Sequence, residues 1–272
     1  MSENDDNLDD LVGSRIVVIY RKSVWSAISE VFRALGPDKA ANLKVNSGEH
    51  LAAVLATAFL GSPPVEADHD GGPDLVFSLQ NQTLLNGMVG PEDAPFADFE
   101  IKSLPGPARQ FNAAIEKARR QGRDPRTTEM TIAITSADAM LTDAKAMITA
   151  AAAQLERKSS PDRARNVFLV THPFDHFYAE IADYFLTHRL PALSDLPDSV
   201  DAVWLLAFPS HLAVWSVAQQ EWITLYFADA NENEQLPGSE DDLEFLAAVD
   251  LEFCSHLGPD KHSPYGIKLT FE

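Results

Sequence analysis

The amino-acid sequence predicts an α/β or α+β fold, in which a mixed central sheet is flanked by helices and an antiparallel meander lies toward the C-terminus. Three observations predict it. Apolar segments of helical period alternate with short strand-like segments. Three strand-like segments then follow one another at short intervals, over residues 202–207, 211–216 and 222–227. Finally, 45% of the 272 residues are hydrophobic and 23% are charged, which is typical of a globular protein.

The N-terminal part is predicted to hold a tail, one strand and two helices. Residues 1–14 are predicted to be a flexible acidic tail, because the first ten residues contain five acids and no base. A strand over 15–20 and a helix over 23–35 follow. The second helix is predicted over 47–60, with Ser47 as its N-cap and a Gly-Ser-Pro-Pro stop.

The middle of the chain is predicted to alternate strands and helices. Strands are expected over 75–79 and 97–102, each after a turn rich in glycine or proline. The remaining elements are a helix from Pro105 to about residue 120, a strand over 131–135, a helix over 136–157, a strand over 166–171 and a helix over 174–188.

We expect a single domain over residues 15–272 after the tail. Its core would cover about 45–227, and residues 228–272 would form an acidic C-terminal extension with a helix near 243–251.

Charge is distributed unevenly along the chain. The net charge is −20, and a field of that sign repels nucleic acid. Residues 229–252 hold nine acids and no base, whereas residues 100–126 hold seven bases and three acids. One basic segment therefore lies in an otherwise acidic chain.

The start of this basic segment carries an alternating polar pattern. Since side chains alternate across a strand, Asp98, Glu100 and Lys102 share one face of the predicted strand. Asp74 heads the preceding strand, 26 positions before Glu100. If the two strands pair, both carboxylates can bind one divalent cation, and such ligands suit Mg²⁺. Lys102 would then stand beside an attacking water and could orient it or stabilise charge on a phosphate.

A structural interpretation of the same residues stays open. Asp74 could close a Gly-Gly-Pro-Asp turn, and Glu100 with Lys102 could form a solvated edge of the sheet.

Pro73-Asp74 followed by Glu100-Ile101-Lys102 resembles the signature of the PD-(D/E)xK, or restriction-endonuclease-like, nucleases. The resemblance covers roughly residues 45–170 and implies a restriction-endonuclease-like sheet with the two motifs on adjacent strands. It also implies that Asp74 and Glu100 are metal ligands and catalytic residues, that Lys102 is the catalytic lysine, and that Mg²⁺ or Mn²⁺ is the cofactor. Glu49 stands where many members have a further acidic ligand.

The helix after the motif often faces DNA in this family. Here it carries the bases Arg109, Lys117, Arg119 and Arg120. One subgroup has a Gln-x-x-x-Tyr signature on that helix, but here Gln110 is followed four positions later by alanine, so we do not assign the chain to that subgroup.

The resemblance implies a Mg²⁺-dependent deoxyribonuclease, with a role in restriction or antiphage defence. Because the chain is acidic, we expect either a homodimer or a partner subunit that supplies DNA affinity. The alternative is a non-catalytic nuclease-fold subunit, or an acidic mimic of DNA that binds a basic protein. Cleavage of RNA rather than DNA is a third hypothesis, and the sequence does not separate the two substrates.

Other sequence patterns bear on the class of enzyme, the cellular location and the core. A phosphate-binding loop, a dinucleotide fingerprint and a serine-hydrolase elbow are missing from the sequence. We find neither a signal peptide nor a membrane-spanning run and expect a cytoplasmic protein. Cys254 is the single cysteine. The aromatics Trp204, Trp215 and Trp222 are predicted to lie in the core, with a stacking surface for bases as the alternative.

Overall fold

The computed structural model describes residues 11–67, 71–79, 86–104, 117, 120–122, 137–171, 189–208, 211–229, 240–258 and 263. Nine strands lie in these residues: β1 (Leu11–Tyr20), β2 (Pro64–Glu66), β3 (Leu75–Ser78), β4 (Phe96–Ser103), β5 (Ala164–Thr171), β6 (Arg189–Pro191), β7 (Ala202–Ala207), β8 (His211–Ser216) and β9 (Glu221–Ala228).

The strands form one mixed sheet in the order β2-β3-β4-β5-β7-β8-β9-β1-β6. At its centre β4, β5 and β7 are parallel, and β3 is antiparallel to β4. The segments β7, β8 and β9 form the predicted antiparallel meander. β1 pairs in parallel with β9, and β6 adds only along the first three residues of β1. The prediction of a mixed sheet with this meander is confirmed.

Helices cover both faces of the sheet. They are α1 (Arg21–Ala41), α2 (Glu49–Leu60), α3 (Asn86–Val89), α4 (Ala137–Lys158) and α5 (Glu240–Leu257), with a 3₁₀ turn at Val45–Ser47. α1, α2 and α5 bury their apolar faces in one core cluster, and α4 packs on the opposite face in a second. Alternate residues of β5 face the two clusters, Phe168 the first and Val167 the second, as the two-residue period of a strand requires.

Aromatic side chains fill the centre of the first cluster. The Trp204 ring lies 4.9 Å from that of Phe59 and 5.4 Å from that of Phe99, between centroids. Trp215 and Trp222 are cross-strand partners on β8 and β9 with centroids 5.4 Å apart. All three tryptophans are at most 1% exposed. Their prediction as core residues is confirmed, and the stacking surface is wrong because none of these three rings reaches solvent.

Three expected boundaries differ from the structure. β1 begins at Leu11, so residues 11–14 are strand rather than flexible tail. They pair with β6, a long-range contact that the local acidic composition does not show. β1 also lies N-terminal to the expected core of 45–227, and α5 begins at Glu240 rather than near 243. The helix over 174–188 and the strand over 131–135 lie outside the described residues.

Candidate active site

The polar face of β4 is turned toward α4. Phe99 and Ile101 lie in the core with α1 and α2, so the alternation of the strand sends Asp98, Glu100 and Lys102 to the other side. Asp98 and Glu100 are at most 1% exposed. Burial of two carboxylates on one strand face is costly unless each has partners. The partners of this face decide what it can do.

Asp74 lies beside Glu100. β3 and β4 are antiparallel with Leu75 opposite Phe99, so one further step of the register brings Asp74 opposite Glu100. The Ile101 backbone N–H donates to Asp74 Oδ2 at 2.8 Å. The prediction that these two strands are neighbours is confirmed, and the turn before β3 carries the Asp74 carboxylate into the sheet rather than to solvent.

Glu49 enters from α2. It is the first residue of that helix and only 2% exposed. The Lys44 backbone N–H donates to Glu49 Oε2 at 2.8 Å, and the Ser47 hydroxyl donates to Oε1 at 3.3 Å. Ser47 was expected as the N-cap, but the residue before α2 is Gly48, with φ of 78°. Ser47 is instead the last residue of the 3₁₀ turn, and its hydroxyl donates a hydrogen bond to the Glu49 carboxylate.

The turn before α2 is held against the ends of β4 and β5. The Ser103 hydroxyl donates to the Ser47 carbonyl at 3.0 Å. A Cβ on Gly48 would lie 2.9 Å from Val170 Cγ2, so glycine permits both the positive φ and the close approach to β5. This contact brings Glu49 to the same edge of the sheet as Asp74.

Two lysines bind the Glu100 carboxylate. Lys102 Nζ donates to Oε1 at 2.5 Å, and Lys158 Nζ donates to Oε2 at 3.0 Å. Lys102 Nζ also donates to Gln154 Oε1 at 3.0 Å. Gln154 and Lys158 are four residues apart on α4 and therefore lie on one face of that helix. A third lysine, Lys44, has its Nζ 3.1 Å from Glu49 Oε1.

The charges of Glu100 and Glu49 act on the Asp74 carboxylate. Burial raises the pKa of Asp74, and the charges of Glu100 and Glu49 raise it further. The hydrogen bond from the Ile101 N–H and the charge of Lys102 lower it, but the net shift is upward. Burial lowers the pKa of Lys44, but its hydrogen bond to Glu49 and the charges of Glu49, Asp74 and Glu100 outweigh this, so that the net shift is upward. The site therefore stabilises positive charge.

The donor set fits a divalent cation. Glu49, Asp74 and Glu100 offer carboxylate oxygens, which Mg²⁺ and Mn²⁺ prefer to nitrogen or sulfur ligands. Two of the three carboxylates, Glu49 and Glu100, already bind lysine ammonium groups. Their oxygens are therefore accessible to a cation. Burial, together with the charges of Glu100 and Glu49, disfavours the ionised form of Asp74, and a divalent ion beside it would offset this.

Sequence reasoning did not identify Lys44, Gln154 and Lys158. The only available signal was the four-residue spacing of Gln154 and Lys158 on a helix that precedes a strand. The predicted DNA-binding helix is described only in part: Lys117 and Arg120 are exposed, whereas Arg109 and Arg119 lie outside the described residues. The Gln121 N–H donates to the Lys117 carbonyl at 3.1 Å, as in one helical turn.

A second buried polar cluster lies on α2 next to this site. His50 Nε2 hydrogen-bonds Asp250 Oδ1 of α5, and both residues are fully buried. With Cys254, also on α5, each residue offers one potential ligand atom within 4.8 Å of the others. The nitrogen and oxygen contact one another directly, whereas two ligands of a tetrahedral ion must leave it room between them. We therefore interpret this cluster as a structural link between α2 and α5.

Comparison with protein-family models, with curated proteins and with solved structures finds no match for the chain. Among the residues that the structure describes, every helix is too short or too polar to cross a membrane.

Proposed function

We propose that the protein is a metal-dependent nuclease of PD-(D/E)xK type that hydrolyses phosphodiester bonds of DNA. One observation carries the proposal: Asp74 and the Glu100/Lys102 pair stand at neighbouring strands, and the charges of Glu100 and Glu49 act on the buried Asp74 carboxylate. Packing alone does not favour buried carboxylates near one another. Each loses its hydration on burial, and each is disfavoured by the charge of the others. Groups with a shifted pKa, such as Asp74 and Lys44 here, cluster at functional sites.

Each residue has a defined role in this proposal. Asp74, Glu100 and Glu49 would hold Mg²⁺ or Mn²⁺. When bound, the ion supplies Lewis-acid polarisation of a phosphate oxygen and lowers the pKa of a coordinated water. Lys102 is fixed between Glu100 and Gln154, so its ammonium stays beside the carboxylates. There it orients the attacking water and balances negative charge on the phosphate in the transition state.

DNA binding must overcome the net charge of −20. We propose that Arg109, Lys117, Arg119 and Arg120 contact the DNA backbone, since phosphate contacts by basic residues supply most non-specific affinity. A homodimer or a partner subunit would add the remaining positive surface. A role in restriction or antiphage defence rests on the resemblance to the PD-(D/E)xK family alone.

The competing proposal is a non-catalytic nuclease-fold subunit or an acidic mimic of DNA that binds a basic protein. The net charge of −20 favours it. Its expected behaviour differs, because such a protein neither cleaves nucleic acid nor depends on Lys102.

Cleavage of supercoiled plasmid, linear DNA and a matched RNA at low salt, with Mg²⁺ or Mn²⁺ and with EDTA, tests the proposal. Wild type should cut DNA only with metal, and Glu100→Gln and Lys102→Met should each lower the rate by about 10²–10³-fold. Arg163→Met is the matched control, because Arg163 pairs with Asp98 on the same strand face at 3.1 Å.

Cleavage of RNA alone would reassign the substrate. No cleavage by wild type, together with tight binding of a basic protein, would favour the competing proposal.

A further inference from the structure

Two lysines of the site have no role in the motif that resembles the nucleases. Lys158 Nζ lies 3.0 Å from Glu100 Oε2, and Lys44 Nζ lies 3.1 Å from Glu49 Oε1. Both contacts are made to oxygens of the proposed metal ligands. An ammonium that donates to a carboxylate oxygen competes with a divalent ion for that oxygen, because the two cations repel each other.

Both lysines reach solvent with part of their side chains. Lys158 is the last residue of α4, with 22% of its side chain exposed, and Lys44 lies outside any helix with 57% exposed. Each has a flexible four-carbon stem that can carry its ammonium away from the carboxylate. Lys102 differs, because Gln154 holds its ammonium from a second side.

We infer that Lys158, assisted by Lys44, neutralises the carboxylates while the metal is absent and transfers to a phosphate of the nucleic acid once a divalent ion replaces it on Glu100. This inference rests on the proposed function. The same ammonium then has two opposite effects: it competes with the metal and it strengthens the binding of the polyanion. A lysine with a purely structural role would have neither.

Arg163 offers a matched comparison on the same strand face. It pairs with Asp98, two positions before Glu100, and its guanidinium also lies 4.9 Å from the centre of the Phe96 ring. The exposed fraction of its side chain, 29%, resembles the 22% of Lys158. Its carboxylate partner is not one of the proposed metal ligands, so its removal should not affect metal affinity.

The test measures Mn²⁺ affinity of the full chain without nucleic acid, by calorimetry or by the EPR signal of free Mn²⁺. Lys158→Met should bind Mn²⁺ about 3- to 10-fold more tightly than wild type, which is the size expected for a partly exposed competing ion pair. Arg163→Met should bind like wild type, and Glu100→Gln should lose binding.

A second readout has the opposite sign. Affinity for a short DNA duplex, measured with Ca²⁺ in place of Mg²⁺ to prevent cleavage, should fall by about 3- to 10-fold in Lys158→Met, because one phosphate contact is lost. Unchanged or weaker Mn²⁺ binding by a folded Lys158→Met, or unchanged DNA binding, would overturn the inference.

The two proposals fail differently. If wild type and Glu100→Gln bind Mn²⁺ equally, the proposed metal site itself is wrong. If Glu100→Gln loses Mn²⁺ but Lys158→Met matches wild type, only the role of Lys158 is wrong. Should Lys158→Met fail to fold, Lys44→Met decides the inference by the same two readouts.

Discussion

Two buried polar clusters include consecutive residues of α2, Glu49 and His50, and they differ in composition and in exposure to solvent. Glu49 belongs to a group of three carboxylates with lysines that reach solvent, the most exposed of them 57% exposed. His50 belongs to the pair with Asp250, in which both side chains are 0% exposed. Burial alone therefore does not identify a functional site. Like charges that gather beside solvent-reaching side chains favour such a site, because a ligand can enter and relieve their repulsion.

The two clusters should also differ in what their removal costs. In the carboxylate cluster Asp74 can be neutralised with little loss of stability, because burial and the neighbouring carboxylates disfavour its charge. In the His50–Asp250 pair, removal of one partner leaves the other buried without its hydrogen bond. Substitution of Asp74 should therefore lower activity with little effect on stability. Substitution of Asp250 should lower stability with little effect on activity.

The largest expected effect is on cleavage by Asp74→Asn. The amide oxygen can still accept from the Ile101 N–H, but the ligand charge is gone, so we expect the rate to fall by at least about 100-fold. The melting temperature without metal should stay equal or rise. A rate within threefold of wild type, or a large loss of stability, would show that Asp74 is a structural residue.

The next effect is on stability, in Asp250→Ala. Loss of the buried partner of His50 should lower the free energy of unfolding by about 3 kcal/mol, measured by chemical denaturation. Metal-dependent cleavage per folded molecule should remain at temperatures where the variant is folded. Unfolding at the wild-type denaturant midpoint would mean that α5 does not depend on this pair.

A smaller effect concerns pH. The pKa of Asp74 is raised above 3.8 in the folded state, first by burial. The folded protein therefore binds this proton more readily than the unfolded chain, so ionised Asp74 lowers stability near neutral pH. The loss diminishes as the pH falls through the raised pKa.

The free energies of unfolding of wild type and Asp74→Asn, measured in EDTA from pH 7 to 4.5, should check this. The advantage of the variant should shrink as the pH falls. A constant or growing difference would contradict the assignment of the raised pKa to Asp74.

The smallest effect concerns the reactivity of Cys254. Burial, together with the charge of Asp250, raises the pKa of its thiol to about 12, so little thiolate forms at pH 8. A thiol reagent should modify the native protein slowly and the denatured protein within seconds to minutes. Fast modification of the native state would show that the cluster on α5 is open to solvent.

The sequence predicted those parts of the fold and the site that depend on local pattern. Alternation on β4 places Asp98, Glu100 and Lys102 on one face, and the short spacing of three apolar segments predicts the meander. Both follow from the two-residue period of a strand, which a single sequence displays directly.

Parts that depend on long-range pairing were not predictable. β1 lies between β9 and β6, although more than 160 residues separate it from either strand. Lys158 reaches Glu100 because α4 crosses back over β4 before β5 begins, and Lys44 reaches Glu49 through the 3₁₀ turn. Neither lysine has a local pattern that distinguishes it from a solvated helix end or loop.

The central claim is that the carboxylate cluster is a metal-dependent nuclease site. Its most direct test is cleavage of supercoiled plasmid by wild type, Lys102→Met and Arg163→Met in parallel, with Mg²⁺ and with EDTA. We expect metal-dependent cleavage by wild type and by Arg163→Met, and loss of cleavage in Lys102→Met. Equal cleavage by all three proteins, or cleavage that persists in EDTA, would contradict it.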